Sequence, residues 1–278
     1  MIEEERLPVT IIQPSRGIIP LRLREIWEYR ELLYFLAWRD IRVRYKQTVL
    51  GVAWVVIQPF LLMLVFTFFF GKLAKIPSEG IPYPIFAYTA LLPWQLFAKG
   101  LNEASTSLVA NERIITKVYF PRLIVPASAV FAALVDFAIA FGLLILLMLY
   151  YGIMPGLAVL TLPLFVLLAA MTALGVGFWF SALDVQYRDI RYTIPFLTQL
   201  WFFATPIVYP LSMVPEKWRI LLSLNPMCGV VEGFRWALLG KEHLMVLPLL
   251  ISVAVVFLVL IGGLYFFRHV EKTLADVI

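Results

Sequence analysis

The sequence predicts an all-α integral membrane protein with six transmembrane helices, an amino-terminal amphipathic interface helix and short re-entrant outer helices between spans five and six. Three observations carry that prediction. Of 278 residues, 62% are hydrophobic and only 15% charged, against about a quarter charged in soluble domains. Six apolar stretches match the length of a bilayer crossing, and the Lys and Arg residues collect in alternate connections.

A spanning helix needs about 20 apolar residues, because a rise of about 1.5 Å per residue must cover about 30 Å of hydrocarbon. On that measure the spans fall near residues 50–72, 83–108, 125–151, 157–182, 190–210 and 247–267. Arg39, Arg42, Arg44 and Lys46 precede the first span, and Arg113, Lys117, Arg122, Arg188, Arg191, Arg268 and Lys272 fall in other connections on the same side. The opposite side carries Lys72, Lys75, Lys217, Arg219, Arg235 and Lys241. The basic side is therefore expected to be cytoplasmic, with both termini on it. No short apolar core with a small-residue cleavage site occurs in the polar residues 1–49, so no cleavable signal peptide is expected.

Two domains follow: a cytoplasmic amino-terminal segment, 1–49, and a membrane domain, 50–278. Within the first, residues 21–47 read as one helix with Ile26, Tyr29, Leu33, Leu36 and Ala37 near one face and Trp27 and Trp38 as interfacial anchors. Its basic run, Arg39, Arg42, Arg44 and Lys46, has two readings. One is a topology-fixing flank that binds anionic lipid. The other is a phosphate-capturing set, since arginine forks match phosphate oxygens in pairs.

Charges inside spans are costly and need a partner. Asp136 is the deepest, and reads either as a hydrogen-bonded packing residue or as an isolated element of a proton relay. Lys99 and Glu103 lie one turn apart in the polar second half of span two, which is expected to face the bundle or the basic-side interface. Residues 211–246 are too polar to span and too apolar for a plain loop, so short re-entrant pieces are expected there. In that segment Glu232 and Arg235 sit at i, i+3 and should pair, and the Gly229–Gly233 spacing permits close approach of a second helix, a dimer contact among the options.

Aromatics make up 15% of the chain, more than two interfacial belts require. In span five Pro195, Gln199, Phe202, Pro206 and Tyr209 recur on one face, and Trp54, Gln58 and Phe69 of span one and Trp94 and Gln95 of span two extend the theme. A face mixing glutamine and rings suits a sugar chain, whose C–H faces stack on aromatics while its hydroxyls meet amides and water. Ordinary helix packing is the competing reading for each residue. Between spans two and three lies a basic, aromatic loop with Arg113, Lys117, Tyr119, Phe120 and Arg122, which is what a pore needs if a separate engine pushes on it.

The strings Trp38-Arg39-Asp40-Ile41, Arg44-Tyr45-Lys46-Gln47-Thr48-Val49-Leu50-Gly51 with Trp54 and Pro59, and Lys117-Val118-Tyr119-Phe120-Pro121-Arg122 with Pro126 resemble type-2 ABC exporter permeases of the polysaccharide (O-antigen and teichoic acid) family. So do Tyr187-Arg188-Asp189-Ile190, Thr205-Pro206-Ile207-Val208-Tyr209, Leu224-Asn225-Pro226 and Glu232-Gly233-Phe234-Arg235. The resemblance implies a homodimeric permease in the bacterial inner membrane that moves lipid-linked polysaccharide with two separate ATPase subunits. It makes the amino-terminal helix a gate, residues 111–124 the coupling loop seated in the ATPase, and 211–246 an outer cap.

No cofactor is expected in this chain. Neither Gly71-Lys72 nor Gly240-Lys241 has a glycine five residues before its own, so no P-loop is present, and ATP and Mg²⁺ would be held by the partner. The single cysteine, Cys228, and two dispersed histidines suggest neither an intrachain disulfide nor a metal site. Rival readings are an exporter of a small amphipathic molecule such as a drug or haem, a membrane-embedded polyprenyl-phosphate glycosyl- or phosphotransferase, and an ion-coupled transporter. The transferase needs convergent carboxylates or histidines and the ion-coupled transporter buried acid pairs, and neither pattern is evident.

Overall fold

The computed structural model describes residues 23–46, 51–187, 189–240 and 245–271. Residues 1–22, Gln47–Leu50 of the first motif, Arg188, Lys241, His243, Lys272 and the expected placement of both termini lie outside the described residues. Among those described, every regular element is helical.

The order is α1 (Leu23–Glu28), α2 (Arg30–Lys46), α3 (Gly51–Phe66) running into a π-helical segment (Thr67–Leu73), α4 (Tyr83–Ala110), α5 (Glu112–Ile115), α6 (Ile124–Tyr150), a 3₁₀ turn (Leu157–Thr161) leading into α7 (Leu162–Gln186), α8 (Ile190–Phe203), α9 (Glu216–Ser223), α10 (Pro226–Leu239) and α11 (Val246–Glu271). Among the described residues, four segments are long and apolar enough to cross a membrane: Gly51–Leu73, Ile124–Tyr150, Leu157–Gln186 and Val246–Glu271. The chain is thus an all-helical, multi-pass membrane protein.

Helix α4 is the axis of the bundle. It packs on α6, α7 and α10, and α7 packs in turn on α11. Without a hydrophobic drive between helices in lipid, close approach depends on small side chains. Here Gly175 lies where a Cβ would come within 2.9 Å of the Leu260 backbone, and a Cβ on Gly263 would strike the carbonyl of Gly175. Gly229 and Gly233 serve the same purpose inside the chain: added Cβ atoms would meet Ser252 at 2.6 Å and the ring of Phe165. Their spacing therefore serves intrachain packing, not the dimer contact it permitted.

The basic end of the bundle gathers α2, the connection after α4, and the end of α11. Leu36 of α2 is buried with Ile115, Phe120, Leu123, Phe178 and Phe267 in one apolar cluster, and Ile26 and Leu33 pack against it. Trp27 and Trp38 of the same segment are exposed.

The opposite end is tied by polar contacts. Helix α8 is fourteen residues long and stops at Phe203, where a span reaching residue 210 was expected. Pro206 disfavours helical geometry at Thr205, whose hydroxyl bonds back to the Trp201 carbonyl at 2.8 Å. Asn225 caps α10 and accepts from the Trp201 indole at 2.8 Å. The carbonyls freed beyond α8 are collected by the fully buried Arg235, which donates to Pro206 at 2.8 Å and Ile207 at 2.5 Å and pairs with Glu232 at 3.0 Å. The expected pairing of Glu232 and Arg235 is present, and it holds irregular backbone in place.

Candidate functional site

Three elements distant in sequence line an open cavity of about 830 Å³: α3 with its π-helical segment, α4 and α8. Its wall contains Gln58, Phe69, Trp94, Gln95, Gln199 and Phe202. These are six of the eight residues selected from the aromatic and polar stripe. Rings meet across it, Trp94 and Phe202 edge-to-face at 5.5 Å and Phe66 and Phe202 tilted at 5.7 Å between centroids.

Trp54 and Tyr209 are not part of this wall. Trp54 lies half-exposed on α3. Tyr209 falls past the end of α8, so the helical spacing that put it on the stripe no longer applies, and its carbonyl faces Arg235 at 3.3 Å. Phe66, Phe70 and Asn102 line the cavity without having been selected. The i, i+4 relation of Phe66 and Phe70 to each other was the available signal.

A second, polar cavity of about 400 Å³ shares Gln58, Gln95, Ala98 and Asn102 with the first and continues toward the basic end past Lys99, Glu103 and Asp136. Its charged end is an ion cluster. Arg44 of α2 lays Nη2 between the Glu103 oxygens at 2.6 and 2.7 Å and also bonds Asp136. Lys99 reaches Asp136 at 2.5 Å, and the Tyr45 hydroxyl donates to the same carboxylate. Burial, and then the bond to Asp136, raise the Tyr45 hydroxyl above the usual phenol range, so it remains a donor. Two cations and two carboxylates thus neutralise one another across α2, α4 and α6.

The four basic-run residues divide accordingly. Arg44 is committed to Glu103 and Asp136, and Arg39 bonds Asp40 and the Asn111 side chain, each at 2.7 Å. Arg42 and Lys46 are exposed. Asp136 is 4% exposed and has two cationic neighbours, which accounts for a carboxylate in an otherwise apolar helix.

The loop residues divide as well. Arg113, Lys117 and Tyr119 point outward, Tyr119 being 70% exposed. Phe120 is 4% exposed, inside the cluster that holds α2. Arg122 turns to α11, its amide nitrogen and guanidinium each donating to Glu271 at 3.1 Å. The sequence signalled a basic, aromatic loop but not which side chains anchor it.

The ABC-2 type transporter family matches residues 31–239. The O-antigen export system permease protein RfbA of Myxococcus xanthus is 32% identical over 216 residues, covering 77% of this chain and 82% of the relative. A protein of the same name from Klebsiella pneumoniae is 31% identical over 206 residues, covering 74% and 79%. The polysialic acid transport protein KpsM of Escherichia coli is 28% identical over 210 residues, covering 72% and 78%. With three quarters of its length inside the match, this chain belongs to the ABC-2 type transporter family and is a transporter permease subunit, not an enzyme.

Proposed function

We propose that the chain is the membrane permease of an ATP-driven exporter of lipid-linked polysaccharide, of O-antigen or related type, in the bacterial inner membrane. The observation that carries this reading is the meeting of Gln58, Gln95 and Gln199 with Phe69, Trp94 and Phe202 in one cavity. The amides offer donors and acceptors to hydroxyls, while the rings and aliphatic side chains that form most of this wall take the apolar sugar faces. The names of the relatives, O-antigen export and polysialic acid transport, point the same way.

In this reading α4 and α8 join the four long apolar segments to make six crossings, with both termini on the cytoplasmic side. Helix α4 has 28 residues, about 42 Å at 1.5 Å each, enough to cross, and its second half carries Lys99 and Glu103 of the ion cluster. Helix α8 crosses as a short helix continued by residues 204–210, of which Arg235 satisfies the Pro206, Ile207 and Tyr209 carbonyls. Two copies would close the cavity, and two ATPase subunits would seat on Arg113, Lys117 and Tyr119. ATP-driven motion of that loop would pass through Phe120 to α2, since both belong to one packed cluster. Helix α2 would act as the gate, with Arg42 and Lys46 meeting the headgroup phosphates first.

The test is reconstitution in vesicles with the ATPase subunit and lipid-linked glycan in the outer leaflet of inside-out vesicles. ATP-dependent delivery of glycan to the lumen is the expected result. Delivery of small amphipathic dyes without any glycan, or transport without the ATPase, would overturn the reading.

A further inference from the structure

Helix α11 is fastened by polar bonds near both of its ends. At the basic end the Glu271 carboxylate divides its oxygens: Oε1 accepts the Arg122 amide at 3.1 Å, and Oε2 pairs with Arg268 at 2.7 Å. The Arg122 guanidinium donates at 3.1 Å to the Glu271 carbonyl, one of those that a helix end leaves without an intrahelical partner. Phe267 and Val270 pack in the cluster that contains Phe120 and Leu123. The return limb of the 111–124 loop is thus bolted to the last turn of α11.

Toward the other end of α11, Ser252 Oγ accepts the Gly229 amide of α10 at 3.2 Å and donates to the Ser223 carbonyl of α9 at 2.9 Å. Only glycine at 229 leaves room for this approach. Helix α10 in turn carries Arg235, which holds the Pro206 and Ile207 carbonyls, and the next residue, Val208, lines the large cavity. A continuous set of polar joints therefore runs from the loop, through α11, to the cavity wall.

We propose that α11 is a transmission rod that carries displacement of the 111–124 loop to α9 and α10, with Glu271 the positioning residue at its driven end and Ser252 the one at its working end. This rests on the reading that an ATPase subunit seats on that loop, and it adds a second outlet to the one through α2. The two joints lie about 28 Å apart along the helix at a rise of about 1.5 Å per residue. A helix bonded to itself along that length does not stretch, so movement at one joint arrives at the other. Sideways yielding is blocked where Gly263 and Gly175 bring the backbones of α11 and α7 together. Hydrogen bonds at each joint fix the register along the axis. Helices α4 and α6 also leave the loop, but Glu103 and Asp136 tie both of them to Arg44 of α2. One stroke is thereby divided, part to α2 at the basic end and part to the helices at the opposite end.

The experiment uses the full chain with its ATPase subunit in lipid nanodiscs, carrying a nitroxide at exposed Leu221 of α9 through Leu221→Cys in a Cys228→Ala background. ATP with orthovanadate is expected to change the spectrum of the label, although the nucleotide binds at the far end of the bundle. Glu271→Ala should reduce that response on the order of tenfold, the scale of a lost bond to a charged group, with ATPase association at the parental level. Glu271→Gln should keep most of the response, because its amide oxygen still accepts the Arg122 amide. Ser252→Ala cuts the other joint and should silence the label equally. In the double variant the shifts in thermal midpoint should add, since the sites are far apart, while the label response should fall no further than in either single variant. That contrast separates transmission from simple loss of stability. A parental response in Glu271→Ala or Ser252→Ala, or a label indifferent to nucleotide in the parent, overturns the proposal. The label is read without glycan, so failure of glycan export in vesicles would count against the exporter reading and not against the rod.

Discussion

Arg235 lies over the ring of Phe86, its guanidinium carbon 3.7 Å from the ring centroid, while its nitrogens hold the carbonyls beyond α8. One side chain thus satisfies a stretch of non-helical backbone and neutralises Glu232 with no exposure to solvent. Arg235→Leu should lower unfolding stability by about 3–5 kcal/mol, since it strands a carboxylate and several carbonyls. Arg235→Lys should lose less, because charge is kept and the fork is not. Unfolding of purified protein in detergent, followed by circular dichroism, measures both; a midpoint like that of the parent for Arg235→Leu would contradict this role.

The seam between α7 and α11 gives a prediction with its own control. A Cβ at Gly175 would sit 2.9 Å from Leu260 backbone atoms, whereas a Cβ at Gly142 would meet nothing within 4 Å. Gly175→Ala should cost about 1–3 kcal/mol by forcing the helices apart. Gly142→Ala should be neutral or slightly stabilising. Thermal denaturation in one detergent compares the two directly.

Tyr119 and Phe120 are adjacent and should behave oppositely. Phe120→Ala removes a buried ring and should destabilise the chain by about 3–5 kcal/mol. Tyr119→Ala, at an exposed position, should change stability by less than about 0.5 kcal/mol. If the loop is the ATPase contact, Tyr119→Ala should still weaken ATPase association by roughly 30-fold, the scale of an aromatic hot spot. Co-purification with titrated ATPase subunit measures this, and parental affinity would move the contact elsewhere.

In the cavity, Gln199→Leu keeps size and removes an amide. Export of glycan should fall by about fivefold, the scale of one lost hydrogen bond, with ATPase association unchanged. Trp54→Leu, at a residue outside the cavity wall, should leave export near its parental rate. Equal losses in both variants would mean that the wall identified here is not the glycan path.

What the sequence revealed and what it withheld follow one physical divide. Contacts along a helix were legible: Glu232 and Arg235 at i, i+3 do pair, and the polar half of α4 does turn inward with Lys99 and Glu103. Partners across helices were not, because charge and period fix a face but not the neighbour it meets. Arg44 was readable as a phosphate ligand, yet its carboxylates lie 59 and 92 residues away. Tyr209 shows the same limit in another form. Its place on the stripe assumed an unbroken helix, and the turn at Pro206 removed it.

Gln58, Gln95 and Asn102 stand in both cavities, and all three carry amides. An amide gives and takes hydrogen bonds alike and does not ionise near neutrality. Such a surface sets no favoured register for a string of repeating units, so each repeat meets the same reception as the one before it. If the proposed glycan path is right, such a boundary would let a long chain slide without pausing and leave the choice of cargo to the ends of the molecule, not to its middle.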